Sequence, residues 1–204
     1  MKRVLAIGAH PDDIELGCGG ALIKHVSRGD EVTMLVVTNG EAGPGPISRR
    51  LQEQRDAAEL IGVTHLEMAG LPDGRVSIDE LKLVHLLEGA VKHFGSDLVY
   101  VHGAQDSHQD HRAIAIATWG AARHARSVLC YDSPSAIGFN PTVFVDITDA
   151  LEKKVAALEC HSSQVEHSAM ASCDMVRTQA GYRGHQARTT AAEGFMPHRL
   201  HLPI

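Results

Sequence analysis

The chain has 204 residues, 44% hydrophobic and 22% charged, which fits one globular domain with a core large enough to need no disulfide or metal staple. Nineteen Lys and Arg against 25 Asp and Glu give a net charge of −6, so there is no basic footprint for nucleic acid. No apolar run nears the roughly 20 residues of a membrane helix, the N-terminus is no signal peptide, and four scattered cysteines (Cys18, Cys130, Cys160, Cys173) read as reduced cytoplasmic thiols.

The first element is a strand over 3–7, apolar enough to be buried, ending at Gly8. His10-Pro11-Asp12-Asp13 follow, and the spacing predicts a helix only from about Gly19 to Ser27. A second strand covers 31–37 and opens into a Gly- and Pro-punctuated loop through Pro46. Ser48 is a candidate cap for a helix over 49–61, with Gly62 as its stop. A short strand over 65–68 precedes the turn Leu71-Pro72-Asp73-Gly74. Ser77 or Asp79 opens a helix to about His93, with Leu83, Leu86, Leu87, Ala90 and Val91 at helical spacing. Strand 97–101, an Ala-rich helix over 111–126, strands over 128–131 and 142–147, and a helix through Cys160 come next. The pattern then weakens to one helix around 169–177 and a polar loop. The repeated strand-then-helix order predicts one α/β domain over 1–204. It is a three-layer, Rossmann-like fold around a mostly parallel sheet, with its active site at the carboxyl ends of the strands.

Two stretches at such strand ends carry the chemistry. His10, Asp12 and Asp13 follow the first strand; Asp106-Ser107-His108-Gln109-Asp110-His111 follows the strand over 97–101. Ionised carboxylates beside a core strand are costly unless paired or bound to a cation. A catalytic metal takes about three protein ligands and keeps one position open. His10, Asp13 and one histidine of the second stretch make that set, and Asp110 is placed to orient a histidine. The glycines Gly17, Gly19 and Gly20 do not form Gly-x-Gly-x-x-Gly, and two aspartates would face an incoming pyrophosphate.

The chain also resembles the LmbE/PIG-L family of zinc-dependent N-acetylglucosaminyl deacetylases. Ala9-His10-Pro11-Asp12-Asp13-Ile14-Glu15 looks like its first motif, with Ile14 an added residue that suggests the branch near the bacillithiol-pathway deacetylases. His108-Gln109-Asp110-His111 looks like its second. Arg50-x-x-Glu53-x-x-x-Ala57, the turn at Asp73, Lys154 through Gln164 and Ala192-Glu193-Gly194-Phe195 extend the resemblance over nearly the whole chain. It implies His10, Asp13 and His111 as ligands of Zn2+, other divalent transition metals being compatible with the same donors. It implies Asp12 as the general base, His108 as the oxyanion or leaving-amine donor, and Asp110 behind His108. Arg50, Asp73 and Glu41 would contact the sugar. Asp106 stands where some relatives carry Tyr. A trimer or hexamer is implied as well. The rival reading is a non-catalytic, metal-containing carbohydrate-binding α/β module. Asp12 separates the two, since a closed structural site has no use for a spare carboxylate.

Overall fold

The computed structural model describes residues 1–202. In chain order the elements are β1 (Arg3–Gly8), α1 (Asp13–Ser27), β2 (Glu31–Thr38), α2 (Ile47–Ile61), β3 (His65–Leu71), α3 (Glu80–His93), β4 (Leu98–His102) and α4 (Gln109–Ala121). They continue as β5 (Ser127–Tyr131), β6 (Val143–Asp146), α5 (Leu151–Glu159), α6 (Ser162–Val165), α7 (Cys173–Ala187) and β7 (Ala192–Arg199). One seven-stranded sheet has the order β3-β2-β1-β4-β5-β7-β6. β3 through β5 pair in parallel, and β7 runs antiparallel between β5 and β6.

Alternating residues of β1 feed two cores. Val4 and Ala6 pack with Leu22 of α1, Ile61 of α2, Ala157 of α5 and Ala180 of α7. Leu5 and Ile7 pack with Leu83 and Leu87 of α3 and with Ile114 and Ala117 of α4. Helices therefore cover both faces, as a parallel sheet requires. The chain moves outward from β1 through β2 to β3, then returns to place β4 on the other side of β1. That reversal opens a crevice at the carboxyl ends of β1 and β4, the usual ligand position in such sheets.

Several boundaries depart from the sequence expectation. α1 begins at Asp13, because Gly17 and Gly20 are sites of close approach and not helix breakers. A Cβ at Gly17 would fall inside the Tyr131 ring, and one at Gly20 would lie 2.8 Å from Ile147. α2 starts at Ile47 after Pro46, ahead of Ser48, while Gly62 ends it at φ +93° as its type suggests. Asp79 caps α3 by accepting from the Lys82 N–H at 3.0 Å. The helix expected around 169–177 runs instead over Cys173–Ala187, and the loop expected after it contains β7. Gly194 and Pro197 disguise that strand; Pro197 sits opposite Leu129, where the pairing with β5 is irregular and no ladder bond is required of it.

Candidate metal centre

The turn after β1 is tied to its neighbours through backbone atoms. Ala9 donates its N–H to Nε2 of His102 at 3.0 Å, and its carbonyl accepts from the Thr38 N–H at 2.9 Å. His102, fully buried at the end of β4, was missed in the sequence; its place at a strand's carboxyl end was the available signal. Asp13 opens α1 and folds back, its Oδ2 accepting from the His10 N–H at 2.7 Å. That carboxylate lies 3.2 Å from His10 Nδ1, 3.3 Å from His102 Nε2 and 3.4 Å from His111 Nε2. Asp12 has φ +104°, and its carboxylate forms no cap bond to the helix.

The second stretch arrives from the far side of the crevice. His111 lies on the first turn of α4; its Nδ1 is 3.0 Å from Asp106 Oδ2, so the proton sits on Nδ1 and Nε2 faces Asp13. Asp106 also accepts from Ser133 Oγ at 2.5 Å and from the His108 N–H at 2.8 Å. Asp106 is thus the group that fixes His111, and Ser133 was not legible in the sequence. His108 caps α4, its Nδ1 accepting from the Asp110 N–H at 3.3 Å, which leaves Nε2–H as the donor toward the cleft. The rings of His10 and His108 are 4.7 Å apart, and those of His10 and His111 are 5.4 Å apart.

The Asp110 carboxylate is not behind His108. It turns the other way, accepting from the Gly74 N–H at 2.7 Å and lying 3.5 Å from His10 Nε2. This corrects the sequence expectation; a residue two beyond the cap directs its side chain along a different helix face. Asp73 joins it, with Oδ1 3.0 Å from His10 Nε2 and Oδ2 accepting from the Ala42 N–H at 3.0 Å. Glu41 is exposed and accepts from the Asp73 N–H at 2.8 Å. Arg50 is buried against the cleft wall, bonded to the carbonyls of Pro11 and Gly40, while Glu53 pairs with Arg49.

Charge follows from these contacts. Burial opposes ionisation of His10, but hydrogen bonds to Asp110, Asp13 and Asp73 outweigh it and raise His10 to about 12. Burial likewise opposes the charge on His111, yet Asp13 and Asp106 lift it to about 9. His102 falls to about 4 through burial and the nearby His111. Asp13 is held well below the usual carboxylate range, because His111 and His102 overcome its burial. Burial and the Asp13 charge push Asp12 up to about 7. Burial and His111 lower His108, which favours its neutral form.

Three groups of donors lie close enough to share a cation, each with ligand atoms within 4.8 Å of one another: His10, His108 and His111; Asp13, His102 and His111; His10, Asp73 and Asp110. His10, Asp13 and His111 span the first two. Three acidic or imidazole groups converge, and the buried Nε2 of His111 has no hydrogen-bond partner. A buried imidazole nitrogen without a hydrogen bond, 3.4 Å from a carboxylate, is the position a divalent cation would satisfy once it displaces the proton. The donor set therefore fits a metal. The group opens into a cleft of about 420 Å³ walled by Arg50, Asp73, Gln109, Ser135 and, from the segment after α6, Ser168 and Met170.

Fold and site together define an α/β protein with a candidate His/Asp metal centre at the carboxyl ends of parallel strands. The chain belongs to the PIG-L/LmbE family: the family profile described as PIG-L, GlcNAc-PI de-N-acetylase, matches residues 5–122. It is 36% identical over 169 residues to the uncharacterised deacetylase YaiS of Escherichia coli, covering 79% of this chain and 91% of that protein. It is 32% identical over 229 aligned positions to diacetylchitobiose deacetylase of Thermococcus kodakarensis, covering 97% and 84%. The fold matches the conserved protein TT1542 of Thermus thermophilus with a TM-score of 0.89 at 24% identity, over 100% of this chain and 98% of that one. The probable N-acetyl-alpha-D-glucosaminyl L-malate deacetylase 2 of Bacillus cereus, the type suggested by Ile14, stands further off at 25% identity.

Proposed function

We propose that this protein hydrolyses the N-acetyl group of an N-acetylglucosamine-type amino sugar or glycoside, with Zn2+ or another divalent transition metal held by His10, Asp13 and His111. The unpartnered Nε2 of His111 facing Asp13, at the floor of a cleft that also holds Asp12 and His108, carries this reading. His102 is set apart from the ligands because its Nε2 already accepts from the Ala9 N–H.

When bound, the metal supplies a Lewis acid for the amide carbonyl and lowers the pKa of water from ~15.7 toward ~7. Asp12 accepts the proton of the attacking water; its carboxylate has no capping duty and lines the cleft. His108 directs Nε2–H at the carbonyl oxygen and stays neutral, while the proton that Asp12 takes from water passes on to the departing amine. Water oxygen bonds to the acetyl carbon, the C–N bond breaks, and acetate and amine leave. Asp73 and Asp110 hold His10 by its Nε2 so that Nδ1 faces the metal position. Asp73 keeps lone pairs for a sugar hydroxyl beside those two bonds, and Glu41 stands next to it at the rim. The chain's similarity to diacetylchitobiose deacetylase supports a glycoside of this class.

In this reading the chain is one catalytic domain, works as a homo-oligomer, and keeps its four free thiols in the cytoplasm. Incubation with N,N'-diacetylchitobiose and N-acetylglucosamine should release free amine, with loss on chelation and return on adding Zn2+. A metal-loaded protein inert across a panel of N-acetyl sugars would favour the binding-module rival.

A further inference from the structure

Asp12 has φ +104° and ψ −27°, a conformation that an L-residue keeps only where its surroundings over-determine it. Its side chain does not hold it, since it caps nothing. From the following side, Asp13 Oδ2 accepts the His10 N–H at 2.7 Å. From the preceding side, Nη2 of Arg50 donates at 3.1 Å to the Pro11 carbonyl, the oxygen of the peptide bond that enters Asp12.

Arg50 reaches this point from α2 and is 3% exposed. Its other terminal nitrogen donates to the Gly40 carbonyl, its Nε has no partner, and among the described residues it forms no ion pair. A buried guanidinium bonded to two backbone carbonyls is an uncommon arrangement, because paired charge is the usual condition for burial. Glycines make the room for it: a Cβ at Gly40 or at Gly43 would fall on the guanidinium. The side chain thus bolts the Asp12 turn to the loop after β2.

We infer that Arg50 is a positioning residue for Asp12, fixing the peptide plane before it and so the direction of its carboxylate. This rests on the hydrolysis reading above, in which Asp12 is the base. Two variants test it: Arg50→Lys, and Gly43→Ala, which keeps the charge and crowds the guanidinium off its seat. With N,N'-diacetylchitobiose as substrate, both should lower kcat by about 100-fold, the cost of a base misplaced by an ångström, with KM and bound metal unchanged. Arg50→Lys added to Asp12→Ala should slow the reaction no further. Deuterium uptake should rise in residues 9–16 and 39–46 and stay unchanged in α3. A raised KM at unchanged kcat would make Arg50 a substrate ligand and overturn the inference, as would unaltered exchange in both segments. Should the wild-type protein prove inactive on every N-acetyl sugar, the exchange result still decides what Arg50 holds, and the hydrolysis reading alone falls.

Discussion

Asp13 has both oxygens surrounded: by the His10 N–H, by His10 and His102 side chains, and by His111. Its neighbour Asp12 is turned into the cleft by a positive φ. Two adjacent carboxylates thereby take separate duties. Asp12→Ala should keep one equivalent of metal and lose about 10²–10⁴-fold in turnover; metal analysis beside a rate assay checks this, and parallel loss of metal would make Asp12 a ligand. Asp106 fixes the His111 ring through Nδ1, so Asp106→Ala should weaken metal binding by about 10–100-fold, read by competition with a chromogenic chelator. The protons matter too. Without metal, His10 is raised to about 12 and His111 to about 9, so both are protonated at pH 7. A cation must displace those protons, so its affinity should rise as pH increases toward 9 and should fall on acidification. Calorimetry in buffers of different ionisation enthalpy would show protons released on binding. The sequence showed these acidic and imidazole groups because each stretch follows a strand end. It did not show Ser133, a single residue in buried surroundings with no spacing to mark it, while His102 had only its place at the end of β4 to mark it.

At the scale of elements, α1 carries the most instructive departure. It starts six residues before the expected Gly19, and its Gly17 and Gly20 face Tyr131, Ile147 and Glu193 at distances no side chain would allow. Through that gap a buried ion pair touches the helix backbone. Glu193 accepts from the Gly20 and Ala21 N–H groups at 2.8 and 2.7 Å, while Lys154 donates to the Leu16 carbonyl at 2.8 Å and to Glu193 at 2.5 Å. Both partners are nearly fully buried. Removing one leaves an uncompensated charge, so Lys154→Ala should cost about 3–5 kcal/mol, measured by urea denaturation; a loss below about 1 kcal/mol would show the pair to be dispensable. β7, which supplies Glu193, lies beyond local reading because its glycine and proline are tolerated only through long-range pairing with β5 and β6. Strands with plain apolar runs, β1, β2 and β4, were legible because both their faces are buried.

For the whole molecule, the strand order decides where chemistry can occur. β1 and β4 are adjacent although nearly a hundred residues separate them, and each ends in a loop of metal-competent side chains. β2 and β3, parallel to them, deliver the Gly40 loop and the Asp73 turn to the same rim. These four loops, joined by the Ser135 loop after β5 and the segment after α6, enclose one cleft, and the sheet's rigidity sets the separations of the four. The chain belongs to a deacetylase family, and the physical arrangement says which atoms would perform that step. Three overlapping donor groups could hold the cation; His10, Asp13 and His111, drawn from the first two, leave Asp12 and His108 free beside it. Anomalous diffraction at the zinc edge from crystals soaked in Zn2+ separates them. The peak is expected between His10 Nδ1, the Asp13 carboxylate and His111 Nε2, with Asp12 outside bonding range. A peak seated on His102, or on Asp73 and Asp110 away from His111, would contradict the account.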